Sequence, residues 1–294
     1  MNIPFHKPHI TQKELDEVSE TIQSGWLTMG PKTIEFENAF RAYIDSQFAI
    51  SVNSATAALH LALNAVGVGN GDEVIIPTNT FIATAEAVVY SGAKPILCDV
   101  EENYHNLDIN LIEQLITPRT KAIIPVHFGG NPCDMDEIKK IGNHFNLKII
   151  EDAAHALPSS YKNKIIGTLS DAVCFSFYAT KTLTTGDGGM VTTNNSKIAE
   201  KIKIQRLHGI SGDAWERYGQ NNDWYYEVVD LGYKYNTTDI QASIGIIQLE
   251  KLEWMRDERK KIADKYIDAF SGKLNFIIEN IKNESSWHLF VIKI

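Results

Sequence analysis

Asp152, Ser176 and Lys181 follow one another along the chain as an acid, a hydroxyl and an amine. Asp152 lies in Glu151-Asp152-Ala153-Ala154-His155-Ala156. Lys181 closes Phe175-Ser176-Phe177-Tyr178-Ala179-Thr180-Lys181, ahead of the glycine-rich Gly186-Asp187-Gly188-Gly189. Pyridoxal phosphate chemistry needs a lysine to hold an aldehyde as a Schiff base, a carboxylate to keep a pyridine nitrogen protonated, and short donors for a phosphate. Lys181 suits the first role and Asp152 the second. Once free during turnover, the lysine amine is the natural base for moving a proton between substrate carbon and cofactor carbon. Taken singly, each has a plainer reading: a loop lysine is normally a solvated surface group, and an aspartate after a strand is a turn former or helix cap. The apolar strand before Lys181 and the glycines after it, together with Asp152 upstream, outweigh those readings.

The phosphate needs its own donors. Residues 54–66 read as a helix rich in small residues with Ser54 as its N-cap. A helix N-terminus offers unpaired N–H groups and a positive dipole end to an anion. Ser54, Ala55 and Thr56 are therefore the expected phosphate donors, joined by Ser176, although Ser54 reads equally as a cap alone. Phe81 is a candidate to stack on the pyridine ring, against its plainer reading as a core aromatic. His155, just beyond Asp152, either meets the ring or its phenolic oxygen or is a satisfied structural histidine, and the residues alone leave both open. Gly186, Gly188 and Gly189 do not follow the nucleotide-binding fingerprints and read as a tight turn beside the lysine.

These groups must be held by a scaffold. Short apolar runs at residues 72–77, 94–100, 120–126 and 147–152 read as strands, alternating with helical patterns at residues 81–90 and 134–145. Such alternation predicts an α/β fold: a mostly parallel central sheet with helices on both faces, and functional groups at the carboxyl ends of strands. After Met190-Val191-Thr192-Thr193 comes a charged helix over residues 197–207, and then a polar and aromatic stretch, 212–226, that reads as a mobile surface loop. Residues 238–271 read as one long helix bridging to a second domain. The expected division is a large cofactor-binding domain with an N-terminal segment, residues 1–237, and a linking helix with the start of a smaller domain, residues 238–294. Trp287-His288-Leu289-Phe290-Val291-Ile292-Lys293-Ile294 has a strand pattern with no partner after it, so the expectation is a chain that stops before its smaller C-terminal domain is complete.

Composition narrows the function classes. The 294 residues are 44% hydrophobic and 22% charged, as in a soluble globular enzyme of one or two domains. Net charge is −9 with no stripe of lysine and arginine, which argues against nucleic acid as a partner. No run is long enough for a membrane span, and the N-terminus lacks the pattern of a signal peptide. Cys98, Cys133 and Cys174 fit no zinc spacing, so no metal is expected and the default compartment is the reducing cytoplasm.

With these motifs in view, the chain resembles the DegT/DnrJ/EryC1/StrS family of nucleotide-sugar aminotransferases. The resemblance runs through Gly25-Trp26-Leu27-Thr28-Met29-Gly30-Pro31, Gly71-Asp72-Glu73-Val74-Ile75, the run from Arg119 to His127, and Glu151-Asp152-Ala153-Ala154-His155-Ala156. It continues through Ser176-Phe177, Lys181 and Gly232-Tyr233-Lys234-Tyr235-Asn236-Thr237-Thr238-Asp239-Ile240, covering essentially the whole chain. Several segments are similar to the UDP-4-amino-4-deoxy-L-arabinose oxoglutarate aminotransferase branch.

The resemblance implies a PLP-dependent transferase of the type I, aspartate aminotransferase-like fold. It implies an exchange in which L-glutamate gives up its amine, leaving 2-oxoglutarate, and the 4-keto group of a nucleotide sugar receives it. Lys181 is then the Schiff-base lysine, Asp152 the pyridinium partner, Ser176 with Ala55 and Thr56 the phosphate donors, Phe81 the stacking residue and His155 a neighbouring contact. Trp26, Thr28 and Met29 lie near the sugar. The family implies homodimers with shared active sites, in which Lys234 or Asn236 reaches the partner's phosphate. Relatives often carry asparagine and arginine at those two positions, and glutamate at that of Asp187. The product is expected to enter surface polysaccharide, lipopolysaccharide or a glycosylated metabolite. Two other readings stand beside this one: a sugar dehydratase on the same scaffold, which carries histidine where this chain has Lys181, and a non-catalytic regulatory homologue.

Overall fold

The computed structural model describes residues 4–211, 226–276 and 283–293. The expected loop over residues 212–226 lies outside them except for Tyr226. Two helices, α1 (Gln12–Ser24) and α2 (Pro31–Ile44), precede β1 (Phe48–Val52). Helices and strands then alternate: α3 (Ala55–Ala65), β2 (Glu73–Pro77), α4 (Ile82–Tyr90), β3 (Lys94–Cys98), α5 (Ile109–Leu115), β4 (Thr120–Ile123), α6 (Met135–Phe145) and β5 (Lys148–Asp152). Two short strands, β6 (Ser160–Tyr161) and β7 (Lys164–Ile165), lead to β8 (Ala172–Ser176), β9 (Gly189–Thr193) and α7 (Ser196–Gln205).

The central sheet has seven strands in the order β1-β9-β8-β5-β4-β2-β3. All are parallel except β9, which runs antiparallel to both β1 and β8. Both faces are apolar because successive strand residues point to opposite sides. Ile75, Ile149 and Phe175 join a core with Phe36, Phe40 and Ile138 on one face. Their neighbours Val74, Ile76, Ile150 and Cys174 pack with Leu59, Leu63 and Ile202 on the other. Each such side chain, fully buried, contributes roughly 1.5–3 kcal/mol of apolar transfer. With both layers fixed, the carboxyl ends of β1, β2, β5 and β8 form one rigid edge.

The stretch expected as one helix over residues 238–271 is two, α8 (Asp239–Glu250) and α9 (Leu252–Phe270), broken at Lys251 with φ −109° and ψ 10°. The break has a chemical cause. Lys251 Nζ donates to the carbonyl of His9 (2.8 Å) and pairs with the buried Glu14, while the neighbouring Gln248 donates to the same carbonyl (2.9 Å) and to Glu14 Oε1 (2.7 Å). Burial works against the charge of Glu14, yet hydrogen bonds from Lys251, Thr11 and Gln248 hold its carboxyl down to about 2. The helix therefore turns where its side chains are tied to α1, and α8 packs on α1 and α2.

The C-terminal stretch also departs from expectation. Among its described residues only Ile292–Lys293 forms a strand, β12, and it pairs antiparallel with β10 (Asn275–Phe276); the other short strand, β11 (Asn283–Glu284), pairs with β6. Residues 285–291 form no strand, because several of their polar groups are used against the large body. Ser286 N donates to Ser159 Oγ (3.0 Å), Ser286 Oγ to the carbonyl of His155, and Leu289 N to the carbonyl of Gly129 (3.2 Å).

Candidate active site

Asp152 is the last residue of β5 and is 6% exposed. Its Oδ2 accepts from Thr84 Oγ1 at 2.8 Å, and its Oδ1 from Ala154 N at 3.1 Å. Thr84 lies in the first turn of α4, whose N-cap is Phe81, and the Thr84 hydroxyl also meets Thr80 Oγ1 at 2.7 Å. One short helix thus fixes the carboxylate and carries Phe81, a residue that is 75% exposed. Phe81 is therefore not the core aromatic of its plainer reading. Sequence reading missed Thr84, because a threonine inside a helix has no pattern that distinguishes it.

Lys181 sits in the connection between β8 and β9. This turn is closed by Phe177 N to Gly188 O (2.9 Å), Thr185 N to Phe177 O (3.0 Å) and Lys181 N to Tyr178 O (2.9 Å). Burial lowers the affinity of the Lys181 amine for its proton, to a pKa of about 8, against the pull of the Asp152 charge. An amine in that range exists in useful amounts as both base and acid near neutrality.

The α3 N-terminus has the expected form. Ser54 caps the helix by accepting from Ala57 N at 3.1 Å, so the N–H groups of Ala55 and Thr56 in the first turn have no acceptor within the helix. The start of β9 approaches this turn closely: a Cβ on Gly189 would lie 2.6 Å from the carbonyl carbon and oxygen of Ser54 and 2.8 Å from Ala55 N. Only glycine fits there. Ser176 ends β8, and its hydroxyl accepts from Tyr178 N at 3.3 Å. Two free amides at a helix end, beside a glycine that leaves the cradle open, suit a phosphate dianion. A buried carboxylate and a proton-exchanging amine suit the ring and the aldehyde, so the donor set fits pyridoxal phosphate.

His155 packs against His288, with ring centroids 4.3 Å apart, and its Nδ1 accepts from Gly129 N at 3.4 Å. Burial and then the Lys181 charge hold His155 down to about 3. Burial, His155, Lys181 and Arg259 hold His288 down to about 2. Both rings are therefore neutral and sense the lysine. His288 was not singled out from sequence, because its place depends on the docking of residues 285–289.

The segment after Gly25 is less uniform than expected. Thr28 is exposed and Trp26 half-buried, its Nε1 donating to Met29 O at 3.2 Å. Met29 is only 3% exposed, so its side chain belongs to the core and not to the proposed sugar-facing surface. The cause is helix geometry: Met29 leads directly into Gly30 and α2, which packs on the sheet. Of the two residues assigned to the partner's site, Asn236 is buried and donates to Thr237 O at 2.8 Å, whereas Lys234 is exposed. The backbone here runs beside the phosphate helix, with Asn53 N donating to Tyr235 O at 2.7 Å.

A parallel α/β sheet whose carboxyl edge presents this lysine, carboxylate and helix terminus defines a PLP-dependent enzyme of the aspartate aminotransferase-like class. Residues 8–294 match the DegT/DnrJ/EryC1/StrS aminotransferase family, and the chain belongs to that family. It is a PLP-dependent sugar aminotransferase. The chain is 54% identical to MJ1066 of Methanocaldococcus jannaschii, over 99% of its own length and 76% of that protein's. It is 46% identical, with the same coverage, to the spore coat polysaccharide biosynthesis protein SpsC of Bacillus subtilis. Among solved structures it is similar to Spr1654 of Streptococcus pneumoniae in its PMP form, with a TM-score of 0.93 and 37% identity over 100% of this chain and 79% of that one. Among the described residues, no helix is long and apolar enough to cross a membrane.

Proposed function

We propose that this chain moves an amino group from L-glutamate to the 4-keto carbon of a nucleotide-linked sugar, UDP-linked by its branch resemblance, in two half-reactions at one site. The observation that carries this reading is a buried carboxylate, Asp152, set against a lysine with a depressed pKa, Lys181, beside the open N-terminus of α3. When bound, pyridoxal phosphate supplies an electron sink for breaking the carbon–hydrogen bond next to the transferred nitrogen.

The protein's residues do the rest. Asp152, kept in place by Thr84, favours a proton on the ring nitrogen by direct charge pairing. Lys181, once its amine is free, removes a proton from the donor carbon and returns one during the second half-reaction. Ala55, Thr56 and Ser176 hold the phosphate, Ser54 orders their turn, and Phe81 covers a ring face. His155 and His288 add no charge, which keeps the surroundings of the lysine from becoming more cationic. Trp26 and Thr28 face the sugar.

The working unit in this reading is a homodimer. Phe81, Ile82, Tyr90 and Leu97 are exposed on α4 and β3, and Tyr90 and Tyr233 both pack on His60, which joins that surface to the segment carrying Leu231 and Lys234. Such a patch suits a second copy, with Lys234 rather than the buried Asn236 reaching the partner's phosphate. Residues 238–294 contain the link to a smaller domain that covers the substrates. The product feeds surface polysaccharide or lipopolysaccharide from the cytoplasm.

Purified protein supplied with pyridoxal phosphate, glutamate and a UDP-linked 4-keto sugar is expected to release 2-oxoglutarate in step with amino sugar. Consumption of the sugar without release of 2-oxoglutarate would contradict the proposal and favour dehydration.

A further inference from the structure

Asp239 begins α8, is almost wholly buried, and takes four hydrogen bonds from one place. Its Oδ1 accepts from Gly30 N (2.7 Å), Thr33 N (3.0 Å) and Thr33 Oγ1 (2.7 Å), and its Oδ2 accepts from Lys32 N (3.1 Å). In return, Asp239 N donates to Thr28 O at 3.2 Å. The carboxylate thus lies at the N-terminal ends of two helices, α2 and its own α8, and both dipoles favour its negative charge. The loop it grips is itself compact. A Cβ on Gly30 would lie 1.8 Å from Trp26 Nε1, so the indole rests directly on the backbone that Asp239 holds.

The same short segment touches the rest of the site. Gln241, within the first turn of α8, accepts from Thr238 N at 3.1 Å and donates through Nε2 to Asp187 O at 2.9 Å, in the turn that carries Lys181. Asn53, just before the phosphate helix, donates from its backbone to Tyr235 O (2.7 Å) and from Nδ2 to Lys234 O (3.3 Å). Residues 234–241 therefore bind the phosphate turn, the lysine turn and the loop of Trp26 and Thr28 into one unit.

We infer that Asp239 is a positioning residue for the sugar half of the reaction: through Gly30, Lys32, Thr33 and the carbonyl of Thr28 it fixes the loop from Trp26 to Thr28. The inference rests on the reading that this loop faces the sugar. Asp239 does not touch the lysine turn or the phosphate turn, which Gln241 and Asn53 hold, so its loss acts on one substrate and spares the other.

The test uses holoenzyme of Asp239→Asn, which keeps the shape and removes the charge, and Thr33→Val, which removes a single donor and guards against a folding defect in the first variant. Three quantities are read: amide hydrogen exchange over residues 28–33, the single-turnover rate with glutamate alone, and KM for the UDP-linked 4-keto sugar. Asp239→Asn is expected to speed exchange in that segment and raise the sugar KM about tenfold or more, as loss of charge-assisted hydrogen bonds implies, with the glutamate rate within about twofold. Thr33→Val is expected to move the same quantities by a smaller factor. Equal loss in both half-reactions, or an unchanged sugar KM with faster exchange, would overturn the inference. Failure of the parent enzyme to react with glutamate would instead count against the proposed function, and the exchange measurement would still report whether Asp239 fixes the loop.

Discussion

The Thr84 hydroxyl donates to Asp152 Oδ2 across 2.8 Å, so the first turn of α4 holds the carboxylate that ends β5. A hydrogen bond to a charged group is worth roughly 1.5–3 kcal/mol. Thr84→Val keeps the shape of the side chain and removes the donor. It is expected to lower the rate of the glutamate half-reaction about tenfold or more, with Asp152→Asn costing more because the charge itself is lost. Stopped-flow absorbance on both variants checks the order; a fully active Asp152→Asn enzyme would refute the role of the carboxylate.

Gly189 offers a separate test of the phosphate cradle. A methyl group there meets Ser54 and Ala55 backbone atoms at 2.6–2.8 Å, and backbone cannot move aside as a flexible side chain would. Gly189→Ala is expected to raise the dissociation constant for pyridoxal phosphate about tenfold and to cost roughly 1–3 kcal/mol of stability. Titration of apoprotein with the cofactor, together with urea unfolding, reads both quantities.

The packed pair His155 and His288 predicts acid sensitivity. Their folded values, about 3 and about 2, lie below the ordinary 6.5, so under acid the unfolded chain takes up protons that the native one refuses. Stability is then lost as pH falls below about 6.5, with a slope of about 1.4 kcal/mol per pH unit for each histidine. Between pH 7 and pH 5, His155→Gln or His288→Gln is expected to recover about 2 kcal/mol of that loss. Urea midpoints at the two pH values check it; identical pH slopes in parent and variants would contradict the burial argument.

Much of this was legible in the sequence because the alternation of short apolar strands with amphipathic helices is a local pattern. Strands β2 to β5, and helices α3, α4 and α6, fall within a few residues of where periodicity put them. The Ser54 cap and the lysine turn were equally local, since a small polar residue before a helix and glycines after a strand have few other uses. The missed features depend on distant partners. The break at Lys251 is set by Glu14 and His9, far away in the chain. Met29 was expected near the sugar from the resemblance, and its burial follows only once α2 folds it inward. Thr84 and Asp239 are ordinary helix residues whose roles exist only once α4 meets β5 and α8 meets α2. The C-terminal stretch alternates like a strand, yet its docking on Gly129, His155 and Ser159 takes up polar groups that a ladder would need.

The value of about 8 for Lys181 belongs to the free amine and gives the uptake of the cofactor aldehyde by the apoprotein a pH profile. The neutral amine is the nucleophile, so the rate is expected to rise with pH and level off above about 8. Because the Asp152 charge raises the lysine value, Asp152→Asn should move the inflection to lower pH. Rapid mixing of apoprotein with pyridoxal phosphate across the pH range measures both positions.

The central claim is that Lys181 is the residue to which the cofactor is joined and through which protons pass. The most direct measurement is the visible absorption spectrum of the purified protein with pyridoxal phosphate, before and after addition of glutamate, for the parent and for Lys181→Ala. The parent is expected to show the band of lysine-bound cofactor and to exchange it for the pyridoxamine phosphate band as 2-oxoglutarate forms, whereas Lys181→Ala retains cofactor through the α3 N-terminus without that first band and completes no repeated turnovers. A Lys181→Ala protein that shows the lysine-bound band, or turns over at the parent rate, would contradict the account.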